Sequence, residues 1–214
     1  EETYRSFNSF FTRKRRAEEV DITPGHFISP CDGHLSIYPI SDGQAYNIKH
    51  VEYRLEELLK SRKLAKRYAG GTCLIFRLTP QDYHRYCYVS DGVVRRSRAI
   101  PGKLHCVRPI ACGSVPVYAE NSREYTELKT QRFGNLIQME IGALLVGKIC
   151  NYPRDGQVFQ GEEKGYFEFG GSTILLLVEK GKLELSRKAA GLSGTGMETR
   201  VRLGELVGVC PDKA

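Results

Sequence analysis

The chain has 214 residues, of which 41% are hydrophobic and 27% charged, a composition typical of one globular domain. Its net charge of +7 suits an anionic membrane, a nucleic acid or an acidic small substrate, and charge alone does not choose among them. No apolar run reaches membrane-spanning length, and no signal peptide is recognisable. Because the chain starts without Met, we expect a fragment whose earlier segment is missing.

The first part of the chain combines a turn, a strand and a helix. The opening YRSFNSFFTRKRR predicts an arm or a short helix, and ISPCDGHLSIYPI predicts a turn followed by a strand. HVEYRLEELLKSRKLAKRY, residues 50–68, predicts the one clear helix, because Val51, Leu55 and Leu58 fall on one face and the last turns are basic. Such a helix either packs on the protein's own sheet or docks on anionic lipid.

The remainder of the chain predicts strands and turns. The strand candidates are TCLIFRL, YHRYCYV, GVVRRSRAI, KLHCVRPI, LIQMEIGALLVGKIC and LGELVGVC. GLSGTG predicts a surface loop, because it lacks the preceding strand and the following Lys-Ser/Thr of a phosphate-binding loop. We therefore expect a predominantly β, α+β fold, an antiparallel sandwich with a few helices, forming a single domain over residues 1–214.

Two classes of function are disfavoured by residue patterns. Seven cysteines are scattered without a CxxC pair, which predicts free thiols in a reducing cytosol and no metal site. The aromatic residues of YHRYCY and GYFEF alternate as core residues do, so we expect no nucleic-acid partner.

The stretch FEFGGSTILLL places Gly170, Gly171 and Ser172 directly before an apolar run that has no need of a hydroxyl group. Three other pieces precede it in the chain, namely PCDG at 30–33, DYHR at 82–85 and the glycine-rich IGALLVGKI. Together and in this order the pieces resemble the phosphatidylserine decarboxylase family of bacterial type. The resemblance runs from Ser6 to about Glu179.

The resemblance implies that the chain cuts itself between Gly171 and Ser172, giving a β chain of residues 1–171 and an α chain of residues 172–214. The Ser172 hydroxyl would attack the Gly171 carbonyl to form an ester, and glycines permit the close approach that this attack needs. Loss of the Ser172 α-proton would expel the ester and leave dehydroalanine, which becomes a pyruvoyl group with release of ammonia. The pyruvoyl group is the implied covalent cofactor: it forms a Schiff base with a substrate amine and accepts the electrons of the departing carboxylate.

The family motifs also imply the residues that start the cleavage. Asp32 matches the aspartate of a triad with serine and histidine, in which serine is the nucleophile, histidine the base and aspartate the group that orients the imidazole. The motif that normally carries two histidines has His84 at the first place and Cys87 at the second, where the triad histidine is expected. The base is therefore His84, Cys87 or His105, and we favour His84, because a thiol needs a stabilised thiolate to serve. Arg108 is a second departure, standing where the family usually has asparagine.

The implied activity is decarboxylation of phosphatidylserine to phosphatidylethanolamine by a peripheral protein at the cytoplasmic face of the cell membrane. The implied partners are an anionic lipid surface, the tightly associated α and β chains of the same molecule and a second copy in a homodimer. Two alternatives stay open, a pyruvoyl-dependent decarboxylase of a soluble amino acid and an unprocessed relative without enzymatic activity.

Two segments, ISPCDGHLSIY and GQVFQGEEKGYFEFGGST, also resemble the barrel-sandwich hybrids that carry lipoyl or biotinyl groups. A carrier domain presents a modifiable lysine in a Met-Lys setting at a hairpin tip, and neither turn offers one. The likeness therefore supports the fold and leaves function open.

Overall fold

The computed structural model describes residues 4–14, 20–143, 148–168 and 172–211. The strands of these residues are β1 His26–Ile28, β2 Gly33–Pro39, β3 Ala45–Ile48, β4 Val51–Arg54, β5 Thr72–Leu78, β6 Arg85–Cys87, β7 Gly92–Ile100, β8 Arg123–Thr130, β9 Asn135–Gly142, β10 Ile149–Asn151, β11 Gly156–Val158, β12 Glu163–Phe167, β13 Ser172–Val178, β14 Glu184–Leu185, β15 Thr199–Val201 and β16 Leu206–Val209. The helices are short: α1 Phe7–Phe11, α2 Leu55–Leu59, α3 Arg62–Arg67, α4 Pro109–Cys112, α5 Val117–Glu120 and α6 Arg187–Ala190. No helix among them is long and apolar enough to cross a bilayer.

An eight-stranded antiparallel sheet organises the fold, in the order β11-β7-β8-β9-β13-β5-β2-β15. Strand β13 lies inside it, paired along its whole length with β5 on one side and β9 on the other. All seven of its residues are buried, which explains why the segment is an unbroken apolar run after Thr173.

Both faces of this sheet are covered. Along β13, Ile174 and Leu176 belong to one hydrophobic cluster, whereas Leu175 and Leu177 belong to another, as side-chain alternation requires. Residues of the small sheets β1-β16-β14 and β10-β12-β6 complete the first cluster, and we call that side the closed face. The hairpin β3–β4 and the helices α2, α3 and α5 complete the second cluster, on the side that we call the helical face. The prediction of a predominantly β, α+β fold is confirmed.

The prediction of a single helix over residues 50–68 is wrong. Its first part forms the strand β4, and the rest forms two short helices, α2 and α3. Val51–Arg54 forms β4 and pairs with β3, where Tyr53 stacks on the opposite Tyr46 with ring centroids 5.2 Å apart. The helix that follows stops at Lys60, which has a left-handed φ of 49°, and Ser61 then caps α3 by accepting a hydrogen bond from Leu64 N. A hairpin partner and a serine cap thus override the helical periodicity.

Two further predictions are decided by the structure. The opening segment forms the short helix α1 rather than an extended arm. The strand predicted in KLHCVRPI is wrong: residues 101–108 are irregular, with one isolated bridge from Lys103 to Asn121, and α4 begins at Pro109. Prolines at 101 and 109 cannot donate to a ladder, which accounts for the irregular backbone.

Candidate active site

Ser172 is the first residue of β13, with Leu78 of β5 and Gly142 of β9 directly opposite. Its side chain is fully buried, and its Oγ has no hydrogen-bond partner among the described residues. A buried hydroxyl without a partner costs about 1–3 kcal/mol, so its retention indicates a purpose other than stability. Gly171, the other residue of the predicted cleavage site, lies outside the described residues.

His84, the predicted base, is fully buried. Its Nδ1 lies 2.8 Å from the carbonyl oxygen of Asp82, and because a carbonyl only accepts, Nδ1 carries the proton and Nε2 the lone pair. Nε2 is buried and has no partner among the described residues. Burial lowers the pKa of His84 to about 4, so the ring is neutral at physiological pH and able to take a proton.

Asp82 holds the turn that presents His84. One carboxylate oxygen accepts from the backbone and hydroxyl of Thr79, at 2.7 and 2.8 Å, and the other accepts from Arg200 at 2.9 Å. These bonds fix the carbonyl that orients the imidazole. Sequence reasoning gave Asp82 no role, although it belongs to the DYHR motif, and Arg200 carries no sequence signal.

Ser172 and His84 belong to the same end of the sheet. The turn that leads to His84 starts directly after Leu78, the residue opposite Ser172. The carbonyl of His84 accepts from Phe167 N at 3.0 Å, at the end of the strand that precedes Ser172 in the chain. By alternation with Ile174, the Ser172 side chain is on the closed face, which β6 and β12 cover.

Helix α1 seals the histidine from solvent. The ring of Phe11, itself buried, lies against the imidazole with centroids 3.7 Å apart. Arg85 holds the end of this helix by donating to the carbonyl of Thr12 at 2.8 Å, and it also pairs with Glu163 at 2.7 Å. The same seal causes the desolvation that lowers the pKa of His84.

Asp32 is buried close enough for its charge to act on His84, raising the pKa of the ring against the larger effect of burial. Its Oδ1 accepts a hydrogen bond from Leu203 N at 2.9 Å. The imidazole is oriented instead by the hydrogen bond that His84 Nδ1 donates to the Asp82 carbonyl. The glycine after it is sterically required, because a Cβ at Gly33 would lie 2.7 Å from the carbonyl oxygen of Arg77.

Cys87 is the last residue of β6 and is buried in the hydrophobic cluster of the closed face. Its backbone N donates to Pro30 O at 2.9 Å, and its Sγ lies 4.0 Å from Ser29 O. Burial raises the pKa of the Cys87 thiol to about 12, so the thiolate is scarce at neutral pH. All seven cysteines are free, as predicted.

His105 lies in the irregular segment before α4 and is partly exposed. Its Nε2 donates to Glu120 Oε2 at 3.0 Å, because a carboxylate only accepts, and its side chain is 41% exposed. His84 is therefore the one imidazole among the three candidates that is fully buried.

A buried ion pair was missed by the sequence interpretation. Lys164 Nζ lies 2.6 Å from Glu140 Oε2, with both side chains at most 1% exposed, and Asn151 bonds to both. Glu140 stands opposite Ile174, so the pair is on the closed face beneath the Ser172 end of the sheet. The signal was the pair of polar residues, Gln138 and Glu140, spaced two apart in an otherwise apolar strand. Among the described residues, no group of His, Cys, Asp and Glu could hold a metal ion.

The fold and the site thus define a class of protein in which a buried serine hydroxyl starts a central strand and a neutral histidine is buried at the same end of the sheet. The family model for phosphatidylserine decarboxylase matches residues 7–209. Among curated relatives, phosphatidylserine decarboxylase proenzyme 2 of Clostridium acetobutylicum is 47% identical over 98% of this chain and 72% of its own length. Proenzymes of the same name from Clostridium novyi and Ruminiclostridium cellulolyticum are each 40% identical, over 96% and 99% of this chain and 71% and 72% of their own lengths. The chain therefore belongs to the phosphatidylserine decarboxylase family.

Proposed function

We propose that this chain cuts its own backbone between Gly171 and Ser172 and then decarboxylates phosphatidylserine to phosphatidylethanolamine. The observation that carries the proposal is the buried Ser172 hydroxyl without a partner, at the same end of the sheet as the free Nε2 of a neutral His84. Family membership supports the same activity and does not favour a soluble amino-acid substrate or an unprocessed relative.

The cleavage follows from the roles of three side chains. His84 Nε2 takes the hydroxyl proton of Ser172 as the oxygen attacks the Gly171 carbonyl carbon, which turns the amide into an ester. Asp32 favours the protonated imidazole through its negative charge. Removal of the Ser172 α-proton then breaks the Cβ–O bond and frees the Gly171 carboxylate, and hydrolysis of the new chain end releases ammonia.

The residues present fit a pyruvoyl group formed from Ser172, because this residue is fully buried at the start of β13, at the same end of the sheet as His84. Once formed, the group supplies a carbonyl that binds a substrate amine and accepts the electrons left by the carboxylate. The chain's own contribution is to exclude water with Phe11 and to keep a lone pair on His84 Nε2, which can take up a proton and pass it to the product carbon.

The two products stay together because strands of the new α chain, residues 172–214, pair with strands of the β chain in the eight-stranded sheet. Its strand β13 pairs with β5 and β9, and its strand β15 pairs with β2, all from the other product. Polar links add to this, among them the bond from Leu203 N to Asp32 and the ion pair of Arg200 with Asp82. Breaking one peptide bond leaves these contacts intact.

We place the enzyme at the cytoplasmic face of the cell membrane as a peripheral protein, since its substrate resides in a bilayer and its net charge is +7. Assembly into a homodimer stays a prediction from the family resemblance.

Denaturing mass spectrometry of the purified chain tests the cleavage. The expected α chain begins at residue 172 and is lighter by one ammonia than a peptide that starts with serine. Ser172→Ala leaves one uncut polypeptide, whereas Ser90→Ala, which removes another buried hydroxyl, leaves cleavage unchanged. An intact wild-type chain after incubation contradicts the proposal.

Release of carbon dioxide then identifies the substrate. Phosphatidylserine vesicles, free serine and free aromatic amino acids are offered to the cleaved enzyme in parallel. We expect release from the vesicles alone, and release only from a free amino acid would overturn the lipid assignment.

A further inference from the structure

Residues 101–116, which we call the crossing segment, are tethered beside Ser172 at one point. The side chain of Asn121 is fully buried: its Nδ2 donates to the carbonyls of His105 and Gly142, at 2.9 and 2.8 Å, and its Oδ1 accepts from His105 N at 2.8 Å. Gly142 is the residue of β9 opposite Ser172. The crossing segment is therefore attached on the β9 side of the strand that begins with Ser172.

The same segment reaches the β5 side through a cavity of about 260 Å³ on the helical face. Pro109 and Cys112 of α4 line this cavity together with Arg77. Arg77 belongs to β5 and stands opposite Thr173 of β13. Because β9 and β5 flank β13, the crossing segment passes over the end of the sheet where the cut would form. Arg77, the cavity residue that belongs to β5, is adjacent in sequence to Leu78, which stands opposite Ser172.

The cavity carries one excess positive charge. Arg77 is neutralised by a two-pronged ion pair with Glu198, at 2.9 and 2.6 Å, whereas Lys49 has no ion pair or hydrogen bond within the described parts of the chain. The aliphatic stem of Lys49 runs so close to Gly113 that a Cβ there would lie 2.6 Å from its Cδ. The lysine is thus held at the cavity by packing, and its ammonium is free for an anionic group such as a phosphate.

The segments that line this cavity carry exposed apolar side chains. Three belong to the crossing segment: Ile110 is 75% exposed, Val115 44% and Leu104 42%. A fourth, Met197, is 58% exposed and lies between two further cavity residues, Gly196 and Glu198. Single exposed apolar residues are ordinary, but a group around one basic cavity is typical of a surface that meets a partner.

The charges near these side chains indicate what the partner is. Arg108 is exposed on the crossing segment among its apolar residues, and Lys103, also exposed, pairs with Glu120 at 3.2 Å. Apolar side chains interspersed with basic ones are complementary to an anionic leaflet, in which acyl chains accept the former and headgroups the latter. The helices α2 and α3 are poorer candidates, because α2 is acidic and its apolar residues Leu55, Leu58 and Leu59 are fully buried in the core.

We propose that the crossing segment and Met197 insert into the surface of a phosphatidylserine-containing bilayer, and that Lys49 binds the phosphate of the lipid headgroup inside the cavity. This assignment rests on the proposed function and deepens it by naming the surface that faces lipid. The headgroup would enter on the helical face and present its amine at the new chain end, while its acyl chains stay in the bilayer.

Sedimentation with phosphatidylserine–phosphatidylcholine vesicles tests the surface in the full chain. Ile110→Asp is expected to lose vesicle binding and vesicle decarboxylation by at least about tenfold, because an aspartate replaces a side chain that enters the bilayer. Ile22→Asp is the matched control, since Ile22 is 72% exposed outside the crossing segment, and it keeps both. Equal binding by the two variants overturns the assignment of the surface.

A water-soluble substrate, dihexanoyl phosphatidylserine below its micelle concentration, separates docking from chemistry. Ile110→Asp keeps its cleaved fraction and its rate on this substrate. Lys49→Ala raises KM on it by roughly tenfold with kcat unchanged, while Lys63→Ala, an exposed lysine of α3, changes neither. An unchanged KM for Lys49→Ala overturns the phosphate assignment.

The two proposals fail differently. An uncut wild-type chain that releases no carbon dioxide contradicts the proposed function, yet vesicle binding of Ile110→Asp against Ile22→Asp still decides the docking surface. A cut, active enzyme whose Ile110 variant behaves as wild type contradicts the docking surface alone.

Discussion

The two faces of the eight-stranded sheet differ most at the end where Ser172 lies. On the closed face, small sheets and α1 bury His84, Asp32 and the pair of Glu140 with Lys164. On the helical face, the same end opens into a cavity with a free lysine and an exposed apolar rim. Strand β13 thus lies between a buried interior that contains charged groups, on the closed face, and a solvent-accessible cavity on the helical face.

The difference shows how one chain meets two opposite requirements. Proton transfer from a serine hydroxyl needs a neutral base and the exclusion of water, and both come from burial. A lipid substrate needs an open approach with its acyl chains left in the membrane. We expect the largest effects of substitution on the closed face and the smallest on the helical face.

Replacing the base has the largest expected effect. His84→Gln should slow self-cleavage by about 10²–10⁴-fold, the usual contribution of a general base, whereas Cys87→Ser should leave it nearly unchanged. The rate of appearance of the α chain on denaturing gels measures both. A severe defect in Cys87→Ser with normal cleavage in His84→Gln would assign the base to the thiol.

The dependence of the cleavage rate on pH distinguishes the same two bases in the wild-type chain. His84, with its pKa lowered to about 4 by burial, is deprotonated across the neutral range, so the rate should be flat from about pH 6 to 9. A Cys87 thiolate, with its pKa raised to about 12, would instead make the rate rise about tenfold per pH unit.

The buried ion pair should dominate the stability of the closed face. Lys164→Met leaves Glu140 charged and unpaired, which should lower the free energy of unfolding by about 3–5 kcal/mol. The double variant Glu140→Met with Lys164→Met should recover most of that loss in urea unfolding. Lys148→Met, which breaks the exposed pair with Glu168, is the control and should change stability by less than about 1 kcal/mol. A double variant as unstable as the single one would contradict this account.

His84 should also make stability depend on pH. Its pKa is about 4 in the folded chain and about 6.5 when unfolded, so the unfolded chain binds the extra proton first as pH falls. This contribution, about 3 kcal/mol, is fully present above pH 6.5 or so, declines as pH falls and is lost below about pH 4. Unfolding of His84→Gln across the same pH range should show a shallower decline, and identical slopes would show that the histidine is not desolvated.

The smallest expected effect on stability is that of a substitution in the crossing segment. Ile110→Asp should change the free energy of unfolding by less than about 0.5 kcal/mol, because the side chain is 75% exposed and packs little. Thermal unfolding of the two Ile variants checks this, and a large loss would show that the crossing segment belongs to the core.

The sequence by itself determined the family and the central strand, and it predicted Ser172 as the nucleophile. The order of the PCDG, DYHR and GGST motifs carried the resemblance, and the unbroken run after Thr173 indicated a strand buried on both faces. These features are local, because a motif and a periodicity are complete within a few residues of one another. Residues 50–68 show the limit of that reasoning, since pairing with Ala45–Ile48 turned the start of the predicted helix into a strand.

Only the tertiary structure decided which base is fit to act and which side is open. His84 is neutral because Phe11, distant in sequence, covers it and because the Asp82 carbonyl selects its tautomer. The Cys87 thiol stays protonated at neutral pH because the same fold buries it, which raises its pKa. Burial and hydrogen-bond partners depend on segments that meet only when the sheet forms, so these properties are not encoded in any single motif.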